Sequence, residues 1–214
     1  MNFKEYYEYY NRDDPSSTYR PEHEATFTLR LAWFSKQVPS GAKVLEYGCG
    51  EGVALAELAK QRGLHQDSCG VDISERAVRK ATDRFPHLKF VPTASDGTIP
   101  FKDGSFDVVV ASEVIEHVFD TDAMFQEFAR VLRPAGSLLL SCPYHGFLKD
   151  LALLLSGQTD GHYHNPYSVH IRYYSVATLQ EVLRKHGFRP TSWGGVGRLP
   201  FLWKSVAVAA LRQA

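Results

Sequence analysis

No run of apolar residues in this chain approaches the roughly 18 needed to cross a bilayer, so a transmembrane helix is not expected. Charge of one sign is also lacking. The 24 basic and 24 acidic residues cancel, and no basic stripe stands out. Nucleic-acid binding usually draws on such a stripe to release counterions, so no RNA or DNA partner is expected. Only three cysteines occur, Cys49, Cys69 and Cys142. Their spacing fits no zinc pattern, and each sits in or beside an apolar segment, where it reads as a small buried hydrophobe kept as a reduced thiol. The opening MNFKEYY lacks a basic segment followed by an apolar run, so no secretory signal is expected and a cytoplasmic location follows. Internal repeats and low-complexity tracts are absent. The 214 residues suit one domain, large enough to bury roughly two-thirds of its unfolded surface without staples.

What is present is concentrated between Lys43 and Lys60, KVLEYGCGEGVALAELAK. Val44 and Leu45 read as a strand that runs into Gly48, Gly50 and Gly52, with a helix opening near Glu51, an arrangement that brings backbone close to a nucleotide-like ligand. The dinucleotide fingerprint G-x-G-x-x-G is not met, because position 53 is Val. Glu46 also argues against a pyrophosphate, since a carboxylate there would repel the dianion that a helix N-terminus attracts. A ligand with a cationic amino group suits it better. Asp72 ends a second apolar segment, where an acid can accept hydrogen bonds from both hydroxyls of a ribose. Cation, ribose and no pyrophosphate describe S-adenosylmethionine.

These residues resemble the class I S-adenosylmethionine-dependent methyltransferases, and the quinone-methyltransferase-like group in particular. The resemblance runs from about residue 40 to 142 and loosely beyond. It includes the turn Glu46–Gly52, Asp72, the segment Ile99-Pro100-Phe101-Lys102-Asp103-Gly104-Ser105-Phe106-Asp107, the run Glu113-Val114-Ile115-Glu116-His117-Val118, and Val131–Leu138. It implies Glu46 at the methionine amino end, Gly48, Gly50 and Gly52 as backbone surface, Asp72 at the ribose and Ile73 against the adenine. Ser95 and Asp96 would lie near the adenine amino group, and Glu113 at the cofactor's edge of the cleft. The cofactor is then S-adenosyl-L-methionine and its product S-adenosyl-L-homocysteine, with no metal.

Along the chain, strands are expected at 43–47, 68–72, 88–92, 106–112 and 136–141, with helices at 51–62, 75–84 and 120–130. A helix from Glu22 to Val38 precedes them, its apolar residues Phe27, Leu31, Phe34 and Val38 at helical period. Helix 175–186 and strands near 188–193 and 204–211 close the chain. Alternation of this kind gives right-handed crossovers and a doubly wound, mostly parallel seven-stranded α/β sheet, with an antiparallel C-terminal edge as in the resembled family. The run Phe106–Ala111 suits a strand buried on both faces. A single domain is expected, with an N-terminal lid and helix (1–40), a cofactor-binding core (41–142), an acceptor-cap insertion (143–174) and a C-terminal helix and strands (175–214). Tyr6, Tyr7, Tyr9, Tyr10 and Tyr19 would fold over the site or onto the domain's own surface.

Candidate catalytic residues cluster on the acceptor side. Glu116 and His117 follow the fourth strand, whose end borders the cleft in this topology. His145 leaves the fifth strand in a turn, and His170 precedes Ser175, which reads as a helix N-cap. Histidine is well placed for proton abstraction near neutral pH. His162-x-His164 with Asp160 lacks a completing carboxylate cluster and reads as solvated loop. Phe147-Leu148 and Leu151–Leu155 form a short apolar helix that roofs the site or makes a peripheral membrane contact. The cap, Pro143-Tyr144-His145-Gly146 with His170-Ile171-Arg172, is similar to that of sugar-modifying methyltransferases. The expectation is therefore methyl transfer to a small-molecule acceptor, a sugar or glycan hydroxyl first and a quinone or phenolic precursor second, by a monomer or homodimer. A nicotinamide-dependent oxidoreductase and a non-catalytic cofactor-binding protein are the alternatives of other classes.

Overall fold

The computed structural model describes residues 4, 5, 8, 26–164 and 168–213. The N-terminal tyrosines, and residues 22–25 of the expected first helix, lie outside the described residues. Helix α1 (Phe27–Gln37) buries Phe27, Leu31 and Phe34 along one face. Alternating units follow: β1 (Val44–Tyr47), α2 (Val53–Arg62), β2 (Cys69–Asp72), α3 (Glu75–Arg84), β3 (Lys89–Pro92), β4 (Phe106–Ser112), α4 (Thr121–Val131) and β5 (Leu132–Pro143). Two short cap helices, α5 (Phe147–Leu155) and α6 (Thr159–Tyr163), lead to α7 (Val176–Lys185), β6 (Phe188–Val196) and β7 (Ser205–Arg212).

The strands form one seven-stranded sheet in the order β3-β2-β1-β4-β5-β7-β6. β1 to β5 run parallel, and β7 lies antiparallel to both β5 and β6. This is the expected doubly wound fold with antiparallel C-terminal strands. The order reverses between β1 and β4, so the connections leaving their C-terminal ends diverge and open a crevice there.

Helices cover both faces, and β4 shows why its sequence is apolar throughout. Val108 and Val110 pack on the α1–α2 side with Phe34, Leu55 and Leu58, whereas Val109 and Ala111 pack on the α4–α7 side with Phe125, Phe128, Leu179 and Leu183. A register shift between Phe106 and Val108 turns Phe106 onto the second face. Several boundaries differ from expectation, two of them for a visible local reason. α2 begins at Val53 because Gly52 caps it in a left-handed conformation, φ 79°. β5 begins at Leu132, which already pairs with Phe106, and runs to Pro143, which pairs with Ser205.

The segment from Ile99 to Asp107 is stapled to α4. Arg130 of α4 donates from Nη1 to the Phe101 carbonyl (2.6 Å), from Nη2 to the Ile99 carbonyl (2.8 Å), and from Nε to Glu127 Oε1 (2.6 Å). Glu127 Oε2 in turn accepts the Ile99 N–H at 2.7 Å. The fork of the guanidinium is matched to carbonyl and carboxylate together, which fixes the loop that carries β3 into β4. Ser175 caps α7 as expected, in a reciprocal pair with Thr178. The three cysteines are buried free thiols whose pKa is pushed up by burial, which keeps them unreactive.

Candidate functional site

A cavity of about 1460 Å³ opens at the C-terminal ends of β1, β2 and β4, in the crevice that the strand order predicts. A single ligand commonly takes roughly 300–1,000 Å³, so this space accommodates a cofactor and an acceptor side by side. Glu46, Gly48, Gly50, Asp72, Ile73, Ser95 and Asp96 line one half. Glu113, Glu116, His117 and His170 line the other.

The first half is built by the glycine turn after β1. Gly48 and Gly50 adopt left-handed conformations, φ 72° and 50°. Asp72 organises the turn: its two carboxylate oxygens accept the N–H groups of Gly50 and Ser74, each at 2.9 Å. A carboxylate offers about four lone-pair positions, so acceptor capacity remains for ribose hydroxyls. Gly52, expected as ligand surface, is not among the residues that line the cavity. A Cβ at Gly52 would come 2.6 Å from Cζ of Phe90, so this glycine serves helix-to-sheet packing. Asp96 is exposed, and its Oδ1 holds its own turn by accepting the Thr98 N–H at 2.9 Å. Glu8 accepts the Glu75 and Arg76 N–H groups at 2.6 and 3.4 Å, which places its carboxylate at the start of α3, near Asp72.

Glu46 is 3% exposed, with Oε2 accepting the Leu55 N–H at 3.0 Å. Burial, with Asp72 adding repulsion, pushes its pKa up to about 8. An acid shifted upwards binds a proton in the fold that it releases when unfolded, so between about pH 4.5 and 8 this group lowers stability as pH rises. An ammonium group reverses the balance by favouring the carboxylate. Cofactor binding at pH 7 should therefore release a substantial fraction of a proton. Calorimetry in buffers of different ionisation enthalpy measures that release, and Glu46→Gln should abolish it; an unchanged release in the variant would place the titrating group elsewhere.

On the acceptor side, Glu113 sits at the end of β4 in a left-handed conformation, φ 55°, unusual for a residue with a Cβ. Its Oε2 accepts from Ser205 Oγ at 3.0 Å, and Arg30 Nε lies 3.8 Å from Oε1. Glu116 is 1% exposed, and neither carboxylate oxygen has a hydrogen-bond partner. Burial, and the nearby Glu113, hold its carboxyl well above the ordinary range.

The cap segment then folds back onto the loop after β4. Ile171 N–H donates to the Glu116 carbonyl at 2.9 Å, and Arg172 donates to the Val118 and Phe119 carbonyls. His117 Nδ1 lies 3.1 Å from the Val169 carbonyl, and the His117 and His170 rings stand 4.9 Å apart between centroids. The strap thus brings His170 to His117 across more than fifty residues of sequence.

His145 is placed elsewhere. It does not line the cavity; its Nδ1 pairs with the Tyr163 hydroxyl at 2.9 Å, which donates to Asp150 at 2.5 Å, and its ring packs against His162 and Tyr173. Backbone pairing between Tyr144 and Tyr174 directs it into the cap's own core. His162 reaches the cavity from α6, whereas His164 is an exposed partner of Asp160 at 3.0 Å, so the two histidines do not converge. Sequence reading missed Arg30, Lys149 and Ser205, all buried beside the acceptor half. A basic residue in the apolar face of α1 was the available signal for Arg30; Lys149, its pKa pushed down to about 8 by burial, gave none of its own, although its helix was expected to roof the site or touch a membrane.

A methyltransferase-domain family profile matches residues 18–192. The chain belongs to the class I S-adenosylmethionine-dependent methyltransferases. A ubiquinone biosynthesis O-methyltransferase of Thiobacillus denitrificans is 32% identical over 133 residues, covering 60% of this chain and 56% of that protein. A Mycobacterium tuberculosis S-adenosylmethionine-dependent methyltransferase is 41% identical over 103 residues, covering 47% of this chain and 35% of that protein. This methyltransferase thus spans about half the length of the former relative and about a third of the latter. Among solved structures, a chain from the complex between the Haloferax volcanii Trm112 methyltransferase activator and a methyltransferase superposes with TM-score 0.75 at 20% identity, covering 97% of this chain and 98% of that one. The cofactor of the family is S-adenosylmethionine, and the first half of the cavity fits it: an acid for the ammonium group, open backbone at Gly50, and an acid with spare acceptor capacity for the ribose. No helix among the described residues is long and apolar enough to cross a membrane.

Proposed function

We propose that this methyltransferase O-methylates a phenolic acceptor of the quinone-precursor type. The observation that carries the reading is the cluster of the buried Glu116 with the half-buried His117 and His170 in the same cavity as the glycine turn. Such a cluster is suited to removing a proton from a hydroxyl that enters beside the cofactor. Bound in the first half, S-adenosylmethionine supplies an electrophilic methyl carbon. Glu46, Gly48, Gly50 and Asp72 hold that cofactor, while the walls at Val114, Val118 and Met124 exclude water from the reacting hydroxyl. Much of the rate enhancement then comes from positioning.

Two further features favour a phenol over the sugar expected first. The ubiquinone-pathway relatives methylate oxygen by name, and no relative described above is named for a sugar. The cap also presents apolar side chains to solvent, Phe147, Leu154 and Leu155 on α5, and Leu199 and Phe201 are exposed in the loop before β7; such side chains suit a hydrocarbon tail or peripheral contact with a membrane.

The test supplies labelled S-adenosylmethionine with a catechol carrying a polyprenyl chain, the same catechol without it, and nucleotide sugars. Label is expected in both catechols, with the lower KM for the tailed one. Transfer confined to the nucleotide sugars would overturn the reading.

A further inference from the structure

We propose that Glu116, His117 and His170 form a binding site for a divalent transition-metal cation that holds the acceptor's hydroxyl oxygen. The inference rests on the reading of an oxygen acceptor and goes beyond it by naming what the oxygen binds.

Geometry carries the proposal. One ligand atom from each of the three residues lies within 4.8 Å of the others, and Glu116 Oε1 is 3.7 Å from His117 Nε2. Around an ion with bonds near 2.1 Å, donor atoms stand about 3.0–3.4 Å apart, so modest side-chain rotation closes the set. Two imidazoles and one carboxylate match the donor preference of Zn²⁺, Co²⁺, Fe²⁺ or Mn²⁺ and leave open positions for water or substrate.

The tautomer is already set. A carbonyl can only accept, so the contact between His117 Nδ1 and the Val169 oxygen puts the proton on Nδ1 and makes Nε2 the lone-pair nitrogen. A backbone carbonyl in that position is the usual orienting partner of a metal-bound histidine.

Glu116 supplies the independent observation. Its two oxygens are buried at the cavity wall without a hydrogen-bond partner, an arrangement that costs free energy unless something cationic or protic arrives. The nearby cations are engaged elsewhere: Arg30 with Thr26 at 2.9 Å and towards Glu113, and Lys149 with the Tyr144 carbonyl at 2.5 Å. A bound cation satisfies the carboxylate and gives the cluster a use that proton transfer alone does not require. Held on the ion, an acceptor hydroxyl loses its proton to water more readily; the O–H pair stays on oxygen, which becomes the better nucleophile.

The test titrates the full chain, stripped with a chelator, with Co²⁺ while following its visible absorption, and competes with Zn²⁺. One Co²⁺ per chain is expected. Glu116→Gln and His170→Ala should each weaken it about 100-fold or more, while S-adenosylmethionine binding by calorimetry stays intact and shows that the variants fold. Absence of a saturable signal, or binding that both variants retain, would overturn the site. Phenol methylation at full rate in chelator would overturn it while leaving the acceptor reading intact. Metal bound as expected, with no phenol methylated, would instead remove the acceptor reading and keep the site.

Discussion

Replacing Asp72 by alanine lowers affinity for S-adenosylmethionine by about 1–3 kcal/mol and folding stability by about 2 kcal/mol. The two effects have one cause. Asp72 accepts the Gly50 and Ser74 N–H groups at 2.9 Å each, so its removal leaves both donors without a partner and frees the glycine turn that faces the ligand. Burial raises the cost of the carboxylate itself, and that cost, recovered on substitution, keeps the stability loss below the sum of two charge-assisted bonds. Calorimetry with S-adenosylmethionine and S-adenosylhomocysteine measures the first effect, and urea unfolding the second. Asp72→Asn, which keeps one acceptor oxygen, should fall between. Unchanged affinity in the alanine variant would remove Asp72 from the ribose and leave it as a staple of the turn.

A methyl group at Gly52 should cost about 2–5 kcal/mol of stability. The added Cβ would meet Phe90 at 2.6 and 2.8 Å and the Ala81 Cβ at 3.1 Å, in a backbone conformation of φ 79°. Left-handed strain contributes about 1–2 kcal/mol and overpacking about 1–3. Gly50→Ala makes the informative contrast. A Cβ at Gly50 meets nothing within 4 Å, so only the strain term applies to stability, while the new methyl narrows the cavity wall and weakens the cofactor. Urea unfolding of the pair separates them, and equal stability losses would refute the division between a packing glycine and a ligand-facing one.

That division shows where sequence reading ran out. Gly48, Gly50 and Gly52 look alike in a motif, because each needs the same left-handed backbone. Only the position of Phe90 on β3, brought against α2 by the parallel crossover, assigns Gly52 to the core. The segment Ile99–Asp107 gave the same difficulty. Its order of residues resembled a family signature, but its purpose, carbonyls presented to Arg130, depends on a helix some thirty residues further on.

The alternation of apolar runs with helical periods fixed the sheet and its crossovers, since those patterns express burial that each segment satisfies within a few residues. Glu46 and Asp72 were legible for a related reason: an acid at a strand end beside glycines has few structural uses. The acceptor side was not legible in this way. His145 and His170 look equivalent as cap histidines, and nothing in the pattern around Lys149 marks it as buried. Pairing of Tyr144 with Tyr174 turned the first histidine inwards, and the strap from Ile171 and Arg172 to residues 116–119 carried the second to Glu116 and His117. Local pattern therefore determined the fold and the half of the cavity built by the glycine turn, whereas the half around Glu116, His117 and His170 was decided by tertiary structure, because these residues meet only through backbone hydrogen bonds between segments that no periodicity connects.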